Sequence, residues 1–305
     1  MVRAVAITDR DRRPEVLDLP LVTTPGPGQV SVAVEAASVN GIDASVAAGH
    51  LWDVVPFDFP VVLGRDFAGT VTAVGDDVDA FRPGDRVAGV VTGMSLATGT
   101  MVETIVFPAD AVAAVPPDVT AVDAAGAGLA AVTAKDLVDA LALTRDDTVL
   151  VSGATGGVGA FAVQLAHGIG ARVIATARPG PAVEFVRALG AAEAVDYGAS
   201  PTGVTAVVHA AGDPAAVAAS LPPGGRLASA IGATAEQVGR RDLTVIAVVS
   251  ESSPRKVAAL LDAVADGTLR VPVARTYPMA SAPAAIADLA GPKLGKLVVE
   301  TRESR

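Results

Sequence analysis

The chain has 305 residues, with 23 Lys and Arg against 33 Asp and Glu, a formal net charge of −10, no cysteine and three histidines. An acidic chain without a basic run has no counterion-release reason to bind nucleic acid or an anionic membrane, and an aromatic content of 3% leaves no stacking platform for single strands. The absence of cysteine removes disulfides, a catalytic thiol and every Cys-based zinc or iron–sulfur centre.

Hydrophobic residues make up 51% of the chain, enough for a large core, yet no run approaches the ~20 apolar residues that span a bilayer. The N-terminal Met-Val-Arg-Ala-Val-Ala-Ile meets Thr8-Asp9-Arg10-Asp11-Arg12-Arg13 before an apolar signal core can form, so a cytoplasmic protein is expected. The length suits two domains of about 150 residues each.

Up to about residue 115 the chain reads as short Val-rich strands, at 2–7, 30–39, 69–75, 85–91 and 102–107. Pro25-Gly26-Pro27-Gly28, Asn40-Gly41, Gly75-Asp76-Asp77 and Pro83-Gly84-Asp85 separate them as turns. Many short strands of this kind predict a barrel or sandwich. The Ala-rich stretch 122–131 reads as helix. From there to about 250 the rhythm changes. Strands at 148–152, 172–176, 193–195, 206–209, 226–229 and 243–248 are joined, early on, by helical patterns at 157–167 and 181–189. Such alternation predicts a parallel sheet with helices on both faces, and six strands is the complement of a doubly wound dinucleotide domain. Residues 251–305 predict a helix at 254–266, a strand at 271–277, a helix at 282–289 and a strand at 296–300.

The sharpest local signal is Val151-Ser152-Gly153-Ala154-Thr155-Gly156-Gly157-Val158-Gly159, with an apolar strand before it and an amphipathic helix after it. Small residues let the backbone approach a pyrophosphate, the helix start offers unpaired N–H groups and partial positive charge, and the last glycine lets helix and strand pack closely. The strict pattern has Ala154 at its first position, with Gly153 preceding it, then Gly156 and Gly159. The strand and helix that the motif requires are both present, so Gly153 to Gly159 are assigned to cofactor binding. An acid about 20 residues further on would mark NAD by bonding its ribose hydroxyl. No Asp or Glu stands anywhere in 171–183, and Arg178 follows the second strand instead. A guanidinium pairs with a 2′-phosphate, so NADPH is the expected cofactor; the alternative is a solvated loop arginine. His209 and Ala210 close a strand, where cofactors bind in such sheets.

The segments Ala37-Ser38-Val39-Asn40-Gly41-Ile42-Asp43, Leu63-Gly64-Arg65-Asp66-Phe67-Ala68-Gly69-Thr70-Val71, Val74-Gly75 through Phe81-Arg82-Pro83-Gly84-Asp85-Arg86-Val87, the glycine loop, Gly224-Gly225-Arg226-Leu227 and Gly295-Lys296-Leu297-Val298 stand in a telling order. Together the chain resembles the zinc-independent branch of the medium-chain dehydrogenase/reductases, the quinone oxidoreductase (zeta-crystallin-like) family. The resemblance implies an α/β protein: a GroES-like partial β-barrel domain plus a doubly wound Rossmann domain, with the active-site cleft between them. Residues 1–119 would form the first part of the catalytic domain, 120–250 the NADPH-binding domain, and 251–305 the segment completing the catalytic domain.

The resemblance also implies chemistry. Metal-dependent relatives carry Cys near Asn40 and His-Glu near Arg65-Asp66, so zinc-assisted catalysis is not expected and no metal site is assigned. Hydride transfer from a nicotinamide to a quinone or to the C=C bond of an α,β-unsaturated carbonyl remains, since these acceptors delocalise the incoming charge themselves and need only a hydrogen-bond donor at the developing oxyanion. Asn40 is expected beside the nicotinamide ribose and substrate, able to supply an amide N–H. Asp43 is either a direct participant or a helix N-cap or turn residue, and Ser45 replaces a tyrosine that many of these enzymes carry. Thr133 resembles a threonine near the nicotinamide and Tyr197 a tyrosine near the adenosine phosphate. In the loop 49–57, His50 reads as a surface residue and Trp52 either walls the pocket or caps the core. Lys296 reads as structural. A homodimer, joined through the edge strand 243–248, suits the family. The alternatives are a pathway-specific enoyl reductase and a non-catalytic NADPH-binding protein.

Overall fold

Val30, Val32, Val34 and Val39 with Ala33, Ala36 and Ala37 fill most of Gln29–Val39, and nearly every residue of this strand is buried, as a strand covered on both sides requires. The computed structural model describes residues 1–55, 57–92 and 99–302; Pro56, inside the loop 49–57, lies outside them. The chain divides into two units: Met1–Leu129 with Ser252–Pro292 and Lys296–Arg305, and Ala130–Glu251 with Lys293–Gly295.

In the first unit Gln29–Val39 organises a mixed sheet. Its neighbours are Lys296–Glu300, Asp66–Val74 and Thr104–Pro108, all antiparallel to it. Register shifts against Asp66–Val74 fall between Ser31 and Val32 and between Val34 and Ala36; such bulges bend and coil a strand. The same strand therefore pairs with Thr104–Pro108 over Gln29 to Ala33 and with Lys296–Glu300 over Ala36 to Val39. Val273–Pro278, Arg86–Val90 and Val112–Ala114 extend this sheet, and Glu15–Leu19, Val2–Ile7 and Val61–Val62 form a smaller one. This is the GroES-like barrel expected. Three of its strands escape sequence reading. Val61–Val62 and Val112–Ala114 are two and three residues long, too short to show a period of two, and Glu15–Leu19 is a half-exposed edge.

Trp52 belongs to the core. Its indole N–H donates to Val46 O at 2.9 Å, its ring lies 6.2 Å from Phe57 and 5.7 Å from Phe59, and it packs in one buried cluster with Val46, Met101 and Leu297. Of its two sequence readings, core capping is the one realised.

The helix Ala121–Ala140 runs longer than the sequence pattern and is broken at Gly128, where φ is −15° and ψ −118°. In the second unit the sheet order is Glu193–Val195, Arg172–Thr176, Thr148–Ser152, Ala206–His209, Arg226–Ser229, Thr244–Ala247, every neighbouring pair parallel. Counted along the unit this is 3-2-1-4-5-6, the doubly wound Rossmann order. Val149, Leu150 and Val151 at its centre are fully buried. The helix Gly157–Ile169 follows the first strand and ends at Gly170, whose left-handed φ of 93° suits glycine at a C-cap. Among the described residues no helix is long and apolar enough to cross a membrane.

Candidate active site

The Rossmann strand Thr148–Ser152 runs into a tight turn. Gly153 has φ +76°, a conformation that glycine adopts without strain. Its N–H donates to Thr176 Oγ1 at 3.0 Å, and Thr176 donates on to Val151 O at 3.3 Å, which ties the turn to the neighbouring strand. A Cβ on Gly159 would lie 2.2 Å from Gly153 O, so the helix sits directly on the turn. The helix N-cap is Gly156, no side chain caps it, and its first turn holds no acid. The N–H groups that start an α-helix have no partners within it, and here the dipole adds positive charge without a carboxylate competing for it. This donor set fits the diphosphate of a dinucleotide. Gly295 adds a wall: its N–H donates to Thr155 O at 2.8 Å, and it bridges Gly156.

Beside this turn the structure gathers Thr155, Arg178 and Tyr197 from the ends of three adjacent strands. The Arg178 guanidinium lies 5.8 Å from the centre of the Tyr197 ring, and Tyr197 OH is 3.4 Å from Thr155 Oγ1. Both Arg178 and Tyr197 are exposed. The cation therefore stands on an aromatic face, which restricts it without neutralising it.

His209 closes the strand Ala206–His209. It is fully buried, with Nδ1 3.0 Å from Ser229 Oγ and Nε2 3.1 Å from Gly212 O. Ser229 Oγ accepts N–H bonds from Ile231 and Ala233, so its proton points at Nδ1 and the imidazole carries its own on Nε2. Burial pushes its pKa below the ordinary imidazole value. Both ring nitrogens are engaged in shaping the strand end, and the side chain has no polar atom left for a dinucleotide. Ala210 donates its N–H to Ser152 O at 3.1 Å. Thr133 is buried, its Oγ1 2.6 Å from Ser250 Oγ.

The first unit holds a buried polar cluster at the corner where Gln29–Val39 turns into the helix Gly41–Ala47. Asn40 is the N-cap of that helix. Its Nδ2 donates to Asp66 Oδ2 at 3.1 Å and Ser38 O at 3.2 Å, and its Oδ1 accepts from Lys296 Nζ at 2.7 Å. The amide hydrogens that the resemblance assigns to a substrate oxygen are bonded here to Asp66 and Ser38. Asp66, with no exposed surface, accepts four hydrogen bonds: from Ser38 N–H, Ser38 Oγ, Asn40 Nδ2 and Leu129 N–H. The break at Gly128 explains the last of these, because a Cβ there would lie 2.8 Å from Asp66 Oδ2.

Asp43 stands in the first turn of Gly41–Ala47. Its Oδ1 accepts from Gly64 N–H and its Oδ2 from Asn40 N–H, both at 2.8 Å. The N-cap is Asn40, and Asp43 stands three residues further on, closing a capping box with the Asn40 N–H and tying the helix to the Gly64 turn. Burial raises its pKa from 3.8 to about 6, against the opposing effect of the two N–H donors. Arg65, also buried, has its pKa lowered by burial, opposed by Asp43 and Asp66. Ser45 is half-buried on the same helix, and His50 is exposed. Asp66 and Lys296 are the members that sequence reading missed. Beyond their place in two of the segments that carry the resemblance, their signal was a charge set into an apolar strand, Asp66 before Phe67-Ala68 and Lys296 before Leu297-Val298-Val299.

Residues 26–117 match the alcohol dehydrogenase GroES-like domain family, and residues 189–299 match the zinc-binding dehydrogenase family. The chain is 30% identical to the chloroplastic quinone-oxidoreductase QR1 of Triphysaria versicolor over 92% of each protein. It is 32% identical to a mycocerosic acid synthase-like polyketide synthase of Mycolicibacterium smegmatis, where 91% of this chain spans 14% of that protein. Its fold matches the quinone oxidoreductase from Coxiella burnetii, with TM-score 0.89, 26% identity and 99% of both chains covered. A mycobacterial protein complexed with NADPH gives TM-score 0.83 and 29% identity, with 98% of this chain and 100% of that chain covered. The donors at Asn40, Arg65 and Asp66 do not fit a zinc ion. They comprise an amide held by an ammonium, a guanidinium and a carboxylate already saturated with hydrogen bonds, and two cationic groups would repel a third cation at this range.

Proposed function

The chain belongs to the medium-chain dehydrogenase/reductase family, in its quinone oxidoreductase (zeta-crystallin-like) group, and on that premise we propose that it is an NADPH-dependent, metal-free reductase of quinones or of activated C=C bonds. The observation that carries the cofactor choice is Arg178, stacked 5.8 Å from the Tyr197 ring beside a helix start that no acid occupies. A 2′-phosphate would meet a fixed guanidinium there, while the first-turn N–H groups of Gly157, Val158 and Gly159 hold the diphosphate. Thr155, Tyr197 and the Ala210 backbone flank it, and Thr133 would face the nicotinamide.

When bound, the dinucleotide supplies hydride. The residues of this chain assigned to the chemistry are Asn40, Asp43 and Ser45, at the start of and along the helix Gly41–Ala47; with the Asn40 amide hydrogens and both Asp43 oxygens engaged by protein groups, they would supply a preorganised polar environment for the acceptor. A serine at position 45 is a poor general acid at neutral pH, so the proton that completes an enone reduction is assigned to water. Titration of NADPH against NADH, followed by steady-state assays over a panel of quinones and enones, tests the reading. Equal affinity for the two dinucleotides removes the NADPH assignment, and tight binding with no turnover of any acceptor removes the reductase.

The second reading is an enoyl reductase dedicated to one biosynthetic intermediate. The polyketide synthase relative favours it, as does Ser45 in place of the tyrosine. Turnover confined to an acyl thioester enone, with simple quinones inert, would select it. We also propose a homodimer through Thr244–Ala247, which ends its sheet; light scattering measures the mass.

A further inference from the structure

The member of the buried cluster with no assigned task is Lys296. It opens the strand Lys296–Glu300, is 4% exposed, and is followed by three buried apolar residues. Its ammonium reaches Val39 O at 2.9 Å and Asn40 Oδ1 at 2.7 Å. Burying an ammonium is expensive, and an apolar residue would continue this strand at no such cost, so the charge calls for a task.

The Asn40 amide indicates what that task is. Its two ends are nearly the same size and are distinguished only by their partners. An ammonium can only donate, so the end facing Lys296 is the oxygen. The end facing Asp66 Oδ2, at 3.1 Å, is then the nitrogen. A half-turn of the amide would set N–H against ammonium and C=O against carboxylate, two repulsions at once. The second Lys296 bond, to Val39 O, fixes the backbone corner from which Asn40 projects. Opposite charges on its two sides therefore hold Asn40 in a single orientation.

We infer that Lys296 is a positioning residue of the reductase, acting through Asn40: it decides that the N–H edge of this amide, not its oxygen, lies on the Asp66 side of the site. This rests on the proposed reductase reading. Positioning errors of this kind lower turnover by roughly ten- to a hundredfold. Lys296→Met keeps the buried stem and removes the charge. It is expected to lower kcat by that factor while KM for the acceptor and the Kd for NADPH stay within about twofold, since the lost ammonium bonds Val39 and Asn40, whereas the phosphate turn is met by the backbone N–H of Gly295. A purely structural lysine would give a loss that adds to that of Asn40→Ala. A lysine acting through Asn40 gives no further loss once Asn40 is gone. Additive losses, or unchanged kcat in Lys296→Met, overturn the inference. Should Lys296→Met fail to fold, Lys296→Gln, which keeps a donor without the charge, carries the same cycle.

A second readout needs no turnover. The side-chain amide protons of Asn40 are expected well separated by NMR in the wild type, and collapsed toward those of a free asparagine in Lys296→Met. Identical spectra overturn the inference. Separated resonances in a protein that reduces no acceptor leave the locked amide standing and remove only the reductase.

Discussion

The two units handle charge in opposite ways. In Ala130–Glu251 the groups gathered at the phosphate turn are main-chain N–H donors, and the nearby cation, Arg178, is exposed on a tyrosine face. In the first unit Asp43, Arg65, Asp66 and Lys296 are all buried, and Asp43, Asp66 and Lys296 are all tied to Asn40 by hydrogen bonds. A helix start can hold an anion with turn geometry alone, so its glycines tolerate few changes but its charges can vary. A buried side-chain network holds only while every member is present, because removing one strands its partners in a medium that penalises unpaired charge. The first kind of site suits a ligand that arrives with its own charge. The second suits a surface that has to be rigid before anything arrives.

The contrast is easiest to break at Asp66. Asp66→Ala leaves four hydrogen-bond donors without their acceptor and should destabilise the protein by about 3–5 kcal/mol. Urea unfolding measures this, and NADPH affinity in the folded fraction should be unaffected.

Asp43 gives the next effect. Its carboxyl is raised from 3.8 to about 6 by burial, so the native state takes up a proton that the unfolded chain has not yet bound. Its contribution to stability is complete below about pH 4 and is lost as the pH climbs through 6, on the order of 2–3 kcal/mol. Thermal melts between pH 4 and 7 should show this slope in the wild type and its disappearance in Asp43→Asn. His209, lowered by burial, acts in the reverse sense: it stabilises above the ordinary imidazole pKa and loses that contribution as the pH falls.

In the second unit the expected losses are steric. A Cβ at Gly159 would sit 2.2 Å from Gly153 O, so Gly159→Ala should cost about 1–3 kcal/mol of stability and weaken both dinucleotides together. Arg178→Ala sharpens the comparison most finely. It should weaken NADPH about tenfold, roughly 1.4 kcal/mol, with little change in NADH affinity or melting temperature. Isothermal titration with both cofactors distinguishes these outcomes, and equal losses would return Arg178 to an ordinary surface cation.

The amino-acid sequence by itself determined the Rossmann sheet. Thr148–Ser152, Arg172–Thr176, Glu193–Val195, Ala206–His209 and Arg226–Ser229 were readable almost to the residue, because strands buried on both faces are uninterrupted apolar runs bounded by Gly and Pro. The phosphate turn was equally legible, since backbone recognition demands glycines at close spacing. Only the tertiary structure decided the polar cluster. Asp66, Leu129 and Lys296 come from parts of the chain distant from Ser38, Asn40 and Asp43, and none has a local periodicity that announces its partners. The same holds for His209, whose place at a strand end was legible but whose partners Ser229 and Gly212 were not. Local pattern reports which backbone groups a segment must satisfy. Which side chains satisfy one another depends on where folding brings them, and a buried charge shows its role only there.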